Sequence, residues 1–440
     1  MSKLILAARR ALSRRDFIRY TFGSAAAAGA AALLPACAGS GSGGSGGSAV
    51  RSRFADIGAL TDADANGLRL PAGFRSRVVA VSGVPPLPGS TYLWHTFPDA
   101  GATYATPDGG WIYVSNSEVP ASGLVSGGVG ALKFAADGTL QSAYPILTGS
   151  SSNCGGGATP WRTWLSGEER DGGLVWECNP FEKSEGTSKP ALGRFAHEAL
   201  AVDPADRTLY LTEDAGDGRF YRFVPSAADW PAGAERPALQ EGRLQVLRFA
   251  EGARGATLDD AGLNVNGMHA VIWEDVVQPD QAQAGVRSAL GAEAPGSRFR
   301  GGEGIWHHEG LIYFSTKGDN RIWCHDIGRE TIEVIYDFAT AENPVLSGVD
   351  NLTVSEFGDV LVAEDGGDMQ ICVILPDRRV LPLLQLVDHS QQSEITGPAF
   401  SPDGSRLYFS SQRNGRNGLP GLGITFEVTL PFSACPNACP

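Results

Sequence analysis

The chain has 440 residues, 42% of them hydrophobic, with no apolar run long enough to span a bilayer, which points to a globular protein with a large core. Fifty-seven glycines beside only 19% charged residues call for tight turns between short strands and little surface helix, so a mostly β fold is expected. A formal charge of -14 disfavours nucleic acid or an anionic membrane surface as a partner and leaves clustered carboxylates that bind cations as a reason for the acidity.

Residues 1–37 read as a twin-arginine signal peptide. "SRRDFIR" at 13–19 carries Arg14, Arg15 and Phe17, and "GSAAAAGAAALL" supplies a mildly apolar run behind them. Cys37 follows Leu34 and Ala36 as in a lipoprotein box, with Pro35 unusual there, while Ala36 and Ala38 also form a small-x-small cleavage site. Lipidation of Cys37 and simple cleavage both remain open. Residues 38–50 form a Gly/Ser linker that suits a protein tethered to the membrane by lipid on Cys37. The expected partner here is the twin-arginine export machinery, and the expected place is the periplasm or the cell envelope. That route carries folded proteins, often with a cofactor loaded, which hints at a metal.

Residues 51–440 are expected to form a single domain, a monomer built on a degenerate repeat. Copies begin at Gly101, His197, Gly302, Asp350 and Thr396, and a weaker one is "NCGGGATPWRTWLSGEE" at 153–169 with its continuation "RDGGLVWECN". Each is a strand, a turn rich in Pro, Asp and Gly, and a strand with alternate apolar residues, such as Leu209 and Leu211 or Ile312 and Phe314. Six hairpins at roughly 65 residues per unit predict an all-β, six-bladed β-propeller, ahead of a β-helix or a double sandwich.

The first residue of one hairpin strand and the last of the next share the open end, away from the turn. Acids recur there. Glu198 opens one hairpin that Glu213 and Asp214 close; Glu303 opens another, closed by Lys317 and Asp319; Asp350 and Asn351 open a third, closed by Glu364 and Asp365. Asn116 and Glu118 close the first copy, and Glu168 and Glu169 follow Cys154. If these hairpins are innermost, the acids ring one mouth of the channel and repel one another by several kcal/mol unless cations neutralise them. So many oxygen ligands suit Ca²⁺ and also Fe³⁺. Cys154 stands where other blades place an acid, and the glycines after it let the backbone approach whatever the mouth holds. A bound metal would deprotonate its thiol; the competing reading is a small residue packed in a turn.

Trp161 and Trp164 read as core on one wall of a blade, and His307 and His308 as surface or structural residues near a turn. Of the remaining cysteines, Cys435 and Cys439 in "CPNACP" could pair in an oxidising compartment. The chain has no G-x-S-x-G elbow, Walker A loop or H-E-x-x-H motif, so serine hydrolase, nucleotide-triphosphatase and zincin readings lack support.

In "NCGGGATPWRTWLSGEE", "RFAHEALAVDP", "TEDAGDGRFYRF", "EGIW", "DNLTVS", "AEDG" and "EITGPAFSPDG", taken in order over most of residues 90–412, the chain resembles the PhoX family of bacterial alkaline phosphatases. The resemblance implies a twin-arginine exported propeller that hydrolyses phosphate monoesters of small phosphorylated substrates with iron and calcium on the channel axis. It makes Cys154 the iron ligand and Glu118, Glu169, Glu198, Glu213, Glu303, Asp350 and Glu364 the metal carboxylates. The chain departs from the family pattern: Ser117 stands in place of a His, Gly167 in place of a Cys, and "RGGEG" from Arg300 in place of an Arg-Pro-Glu run. These changes touch the substrate pocket, for which Arg300 and Lys317 are the candidate phosphate contacts. Two alternatives remain open, a calcium-dependent hydrolase of the lactonase kind and a non-catalytic envelope lipoprotein.

Overall fold

The computed structural model describes residues 52–123, 125–387, 392–413 and 423–435. The signal peptide, Cys37 and the 38–50 linker lie outside these residues, as does Cys439; Cys435 is disulfide-bonded.

Alternation of apolar and polar residues over five to eight positions, punctuated by Gly, Asp and Asn, gives short antiparallel strands rather than helices. Six innermost strands carry the repeat: Pro98–Ala105, Asn153–Ala158, His197–Asp203, Gly302–His308, Val349–Val354 and Ile395–Phe400. Each pairs antiparallel with the strand that follows it in sequence, and two further strands complete each unit outward. Numbered one to six by those inner strands, the units are the blades of a propeller. Each inner strand packs against the next, and Ile395–Phe400 returns to Pro98–Ala105, which closes the circle. The hairpins expected from the repeat are therefore the inner hairpins of a β-propeller.

Closure is made by chain ends. The strand Arg75–Val81 supplies the outer edge of blade six by pairing with Ile424–Thr429. A second link is Met268–Asp275, which pairs with Gly242–Phe249 on one side and Thr331–Asp337 on the other and so joins the rims of blades three and four. Leu68–Arg69 adds a fifth strand to blade five.

The core lies between blades. Phe220 and Phe314 stack between blades three and four with ring centroids 4.3 Å apart, and Leu165, Leu200, Leu209 and Leu211 fill the seam between blades two and three. The two tryptophans of the 153–169 stretch do not share a wall. Trp164 is buried against the blade-one side, with Nε1 donating to Asn116 Oδ1 at 2.8 Å, whereas Trp161 meets Trp230 on the blade-three side.

Candidate metal centre

One irregularity recurs in every blade. Asn153 pairs with Glu168, but the next matched pair is Gly156 with Ser166; His197 pairs with Glu213, then Leu200 with Leu211. The same one-residue slip follows Pro98, Gly302, Val349 and Thr396. A β-bulge of this kind leaves a residue unpaired and re-aims the strand. The residues after the first matched pair are Asp99, Cys154, Glu198, Glu303, Asp350 and Thr396. One step past the end of the second strand stand Glu118, Glu169, Asp214, Lys317, Asp365 and Gln412. Glu394, just ahead of Ile395–Phe400, adds one more acid.

Among the described residues, ligand atoms from these positions gather into four overlapping groups, in each of which the atoms lie within 4.8 Å of one another: Cys154–Glu169–Glu198, Asp99–Glu118–Glu394, Glu198–Glu303–Asp350 and Asp350–Asp365–Glu394. Glu198 is fully buried, and neither of its carboxylate oxygens has a hydrogen-bond partner. An unpartnered buried carboxylate is costly in a dry interior. Around it the structure is fixed: Asn116 Nδ2 donates to the carbonyls of Cys154 and Gly155, both at 2.7 Å. The thiol of Cys154 donates to Asp99 Oδ2 at 3.4 Å. Gln412 Nε2 donates to Asp99 Oδ2 at 2.5 Å and to Glu118 Oε2 at 2.9 Å.

Burial first, and mutual repulsion second, push the carboxyls of Asp99, Glu198 and Glu394 well above their usual range. Glu303 shifts the same way by burial and the nearby Asp350, against the opposing pull of Lys317. Glu169 is raised to about 8 by burial, with Asp214 and Glu118 adding to it, and Asp350 to about 6 by burial, against Lys317. The Cys154 thiol is likewise pushed up, by burial and then by Asp99, Glu198 and Glu169. With protein groups alone this ring holds protons near neutral pH. Multivalent cations would reverse every one of these shifts, and the donor set, many carboxylate oxygens and one sulfur, fits them.

The structure brings together Cys154, Glu118, Glu169, Glu198, Glu303 and Asp350 from the expected ligands. Glu213 and Glu364 stand apart. Glu213 accepts from the Arg219 amide at 3.0 Å, from Tyr221 Oη at 2.9 Å and from both Arg287 guanidinium nitrogens at 2.9 and 3.1 Å. Glu364 accepts from the amides of Ser347 at 2.8 Å and Gln370 at 2.9 Å. Glu168 does the same with Ser151 and Leu174. In each of these three blades a glutamate that ends the second strand ties down the amide six residues on, and so braces the turn into the third strand. The ring takes the following residue instead. Asp214 and Asp365 are thus the ring members beside the two braces, and the Glu168–Glu169 pair carries the same signal. Asp99 and Glu394 precede the recognisable repeat and leave no sequence mark of their role.

Of the candidate phosphate contacts, Lys317 lies among the acids, 3.2 Å from Glu303 and 3.1 Å from Asp365, while Arg300 is exposed on the adjoining loop, its carbonyl accepting from the Gly318 amide. The glycines after Cys154 serve the neighbouring blade rather than the mouth. A Cβ on Gly157 would stand 1.9 Å from the Leu200 carbonyl oxygen, and one on Gly155 would stand 2.3 Å from that of Glu198. Bare backbone there lets blades two and three approach.

No curated protein matches the chain. The sequence model of the family described as alkaline phosphatase PhoX matches residues 170–333. Among solved structures, Pseudomonas fluorescens PhoX in complex with vanadate, a transition state analogue, is similar over 86% of this chain and 97% of that one, with a TM-score of 0.62 at 17% identity. A gluconolactonase from Xanthomonas campestris is similar over 87% of this chain and all of its own, but only at 13% identity and a TM-score of 0.43, too distant to bear on function. The family pattern thus covers residues 170–333, and the propeller fold is shared across the described residues.

Proposed function

We propose that the protein hydrolyses phosphate monoesters at the channel mouth with metal ions held by the carboxylate ring. The observation that carries this is Glu198, buried with both oxygens unpartnered beside Cys154 and Glu169. Cys154, Glu169 and Glu198 are the residues for iron, since they include the one thiol in the ring, and the all-oxygen groups around Asp99, Glu303 and Asp350 suit calcium. When bound, such cations supply the positive charge that neutralises phosphate oxygens and activates an oxygen nucleophile.

The chain's own residues do the rest. Burial of the inner positions excludes water and strengthens every electrostatic contact there. Asn116 fixes the Cys154 loop against blade one, and Gln412 orients Asp99 and Glu118. Arg300, exposed beside the ring, offers a guanidinium to a phosphate oxygen of a small substrate. The vanadate complex named for the Pseudomonas fluorescens protein accords with this anion chemistry. A non-catalytic envelope propeller is the second reading, favoured by the group Glu198–Glu303–Asp350, which spans three blades and lets an ion pin them together.

Hydrolysis of p-nitrophenyl phosphate by full chain loaded with iron and calcium, abolished by chelation and restored by both metals, is the expected result. A loaded, folded protein that hydrolyses no phosphomonoester returns the non-catalytic reading to first place. Export through the twin-arginine machinery to the envelope is proposed on residues 13–19 and 37; Arg14→Lys with Arg15→Lys should trap folded precursor in the cytoplasm, and undiminished exported protein would refute it.

A further inference from the structure

Three of the four acid groups contain a carboxylate paired with a basic side chain, and the fourth is reached that way only through Glu198's neighbours. Lys317 Nζ lies 3.2 Å from Glu303, 3.7 Å from Asp350 and 3.1 Å from Asp365. Arg413 pairs with Glu118 at 2.9 Å and Glu394 at 3.0 Å. Among the described residues, no ion pair reaches Cys154, Glu169 or Glu198 themselves.

Lys317 occupies in blade four the place that Glu118, Glu169, Asp214 and Asp365 occupy in theirs, one step past the second strand. Blade four therefore contributes an ammonium to the ring where four other blades contribute a carboxylate. Its position decides the consequence. A divalent ion bound to Glu303, Asp350 and Asp365 needs their oxygens at about 2.3–2.6 Å, inside the space the ammonium fills. The two positive charges cannot share those oxygens at that separation.

We propose that Lys317 is a built-in counter-cation that replaces one divalent ion between Glu303, Asp350 and Asp365, so that this chain takes up one ion fewer than its ring would otherwise hold. The inference rests on the reading that the ring binds cations, for which the unpartnered Glu198 is the independent observation. Tethered charge of this kind is permanent, whereas an ion exchanges with its pool, so these three carboxylates keep one positive charge among them at any calcium concentration.

Calcium stoichiometry of the full chain, by equilibrium dialysis with elemental analysis, tests it without reference to turnover. Lys317→Met, which keeps the apolar stem, should bind one calcium per chain more than wild type, and Lys317→Arg the same number as wild type. Equal binding by folded wild type and Lys317→Met overturns the lysine's role and leaves the metal reading standing. A calcium bound by Lys317→Met alone supports the lysine's role and removes cation binding from the wild type; none bound by either overturns both. Should Lys317→Met fail to fold, anomalous diffraction from wild-type crystals soaked in a lanthanide decides: no peak within bonding distance of Glu303, Asp350 and Asp365 supports the proposal, and a peak there overturns it.

Discussion

At the scale of single residues, the 153–169 stretch combines two duties that pull against each other. Cys154 and Glu169 face the ring, while Gly155 and Gly157 exist for the backbone of blade three. Cys154→Ser replaces a soft ligand by a hard, shorter one; iron content and phosphomonoesterase turnover should both fall while the circular dichroism of the fold persists. A thiol that merely packs would tolerate the near-isosteric change at about 1 kcal/mol with metal content intact. Gly157→Ala should do the opposite. Its Cβ would meet the Leu200 carbonyl oxygen at 1.9 Å and the carbonyl carbon at 2.7 Å, both rigid backbone, so a loss of roughly 1–3 kcal/mol or more is expected in a denaturant melt.

At the scale of the strand and its turn, adjacent acids have separate roles. Glu213 and Arg287 form a buried ion pair that ties the helix Gln283–Leu290 to blade three, and Tyr221 shares the same carboxylate. Glu213→Ala would leave the buried guanidinium with Asp217 as its one remaining carboxylate and should cost about 1–3 kcal/mol. Its metal content, once folded, should match wild type. Asp214→Asn, one residue on, should leave stability of the metal-free protein unharmed yet weaken cation binding. Equal metal loss in both variants would put Glu213 back in the ring. The pairing of a brace with a ring residue was only half legible in the chain. "GEE", "TED" and "AED" are visible repeats, but an ideal ladder makes the last strand residue the one at the mouth. The bulge in the partner strand moves that role to its neighbour, and no single-strand pattern records it.

At the scale of the whole molecule, the ring couples stability to protons and ions. In metal-free protein Glu169 is held near 8 and Glu364 near 7, chiefly by burial, above their ordinary 4.5. The native state therefore keeps protons that the unfolded chain has released, and stability falls as pH rises through that window. Melting temperature of the metal-free form should thus drop between pH 6.5 and 8, and loading with iron and calcium should offset the part due to Glu169, because ions bind the ionised native ring alone. An unchanged slope with saturating metal would argue against a cation cluster. On the acid side His95 and His197, buried and lowered to about 3, act the other way, since the unfolded chain protonates first and stability declines as pH falls below 6.5.

The hairpins, and the end of each at which acids recur, are legible in the chain. These follow from strand periodicity and turn chemistry, which are local and survive degeneracy of the repeat. Tertiary structure alone decided which acids meet. Asp99 and Glu394 lie 295 positions apart yet share a group with Glu118, because the circle closes between blades six and one. It also decided that Lys317 points its charge into the ring and that Glu213 spends its own on Arg287. Both outcomes depend on a one-residue bulge and on the seating of one blade against the next, and a carboxylate's role is set by what stands within a few ångströms of it rather than by its neighbours along the chain.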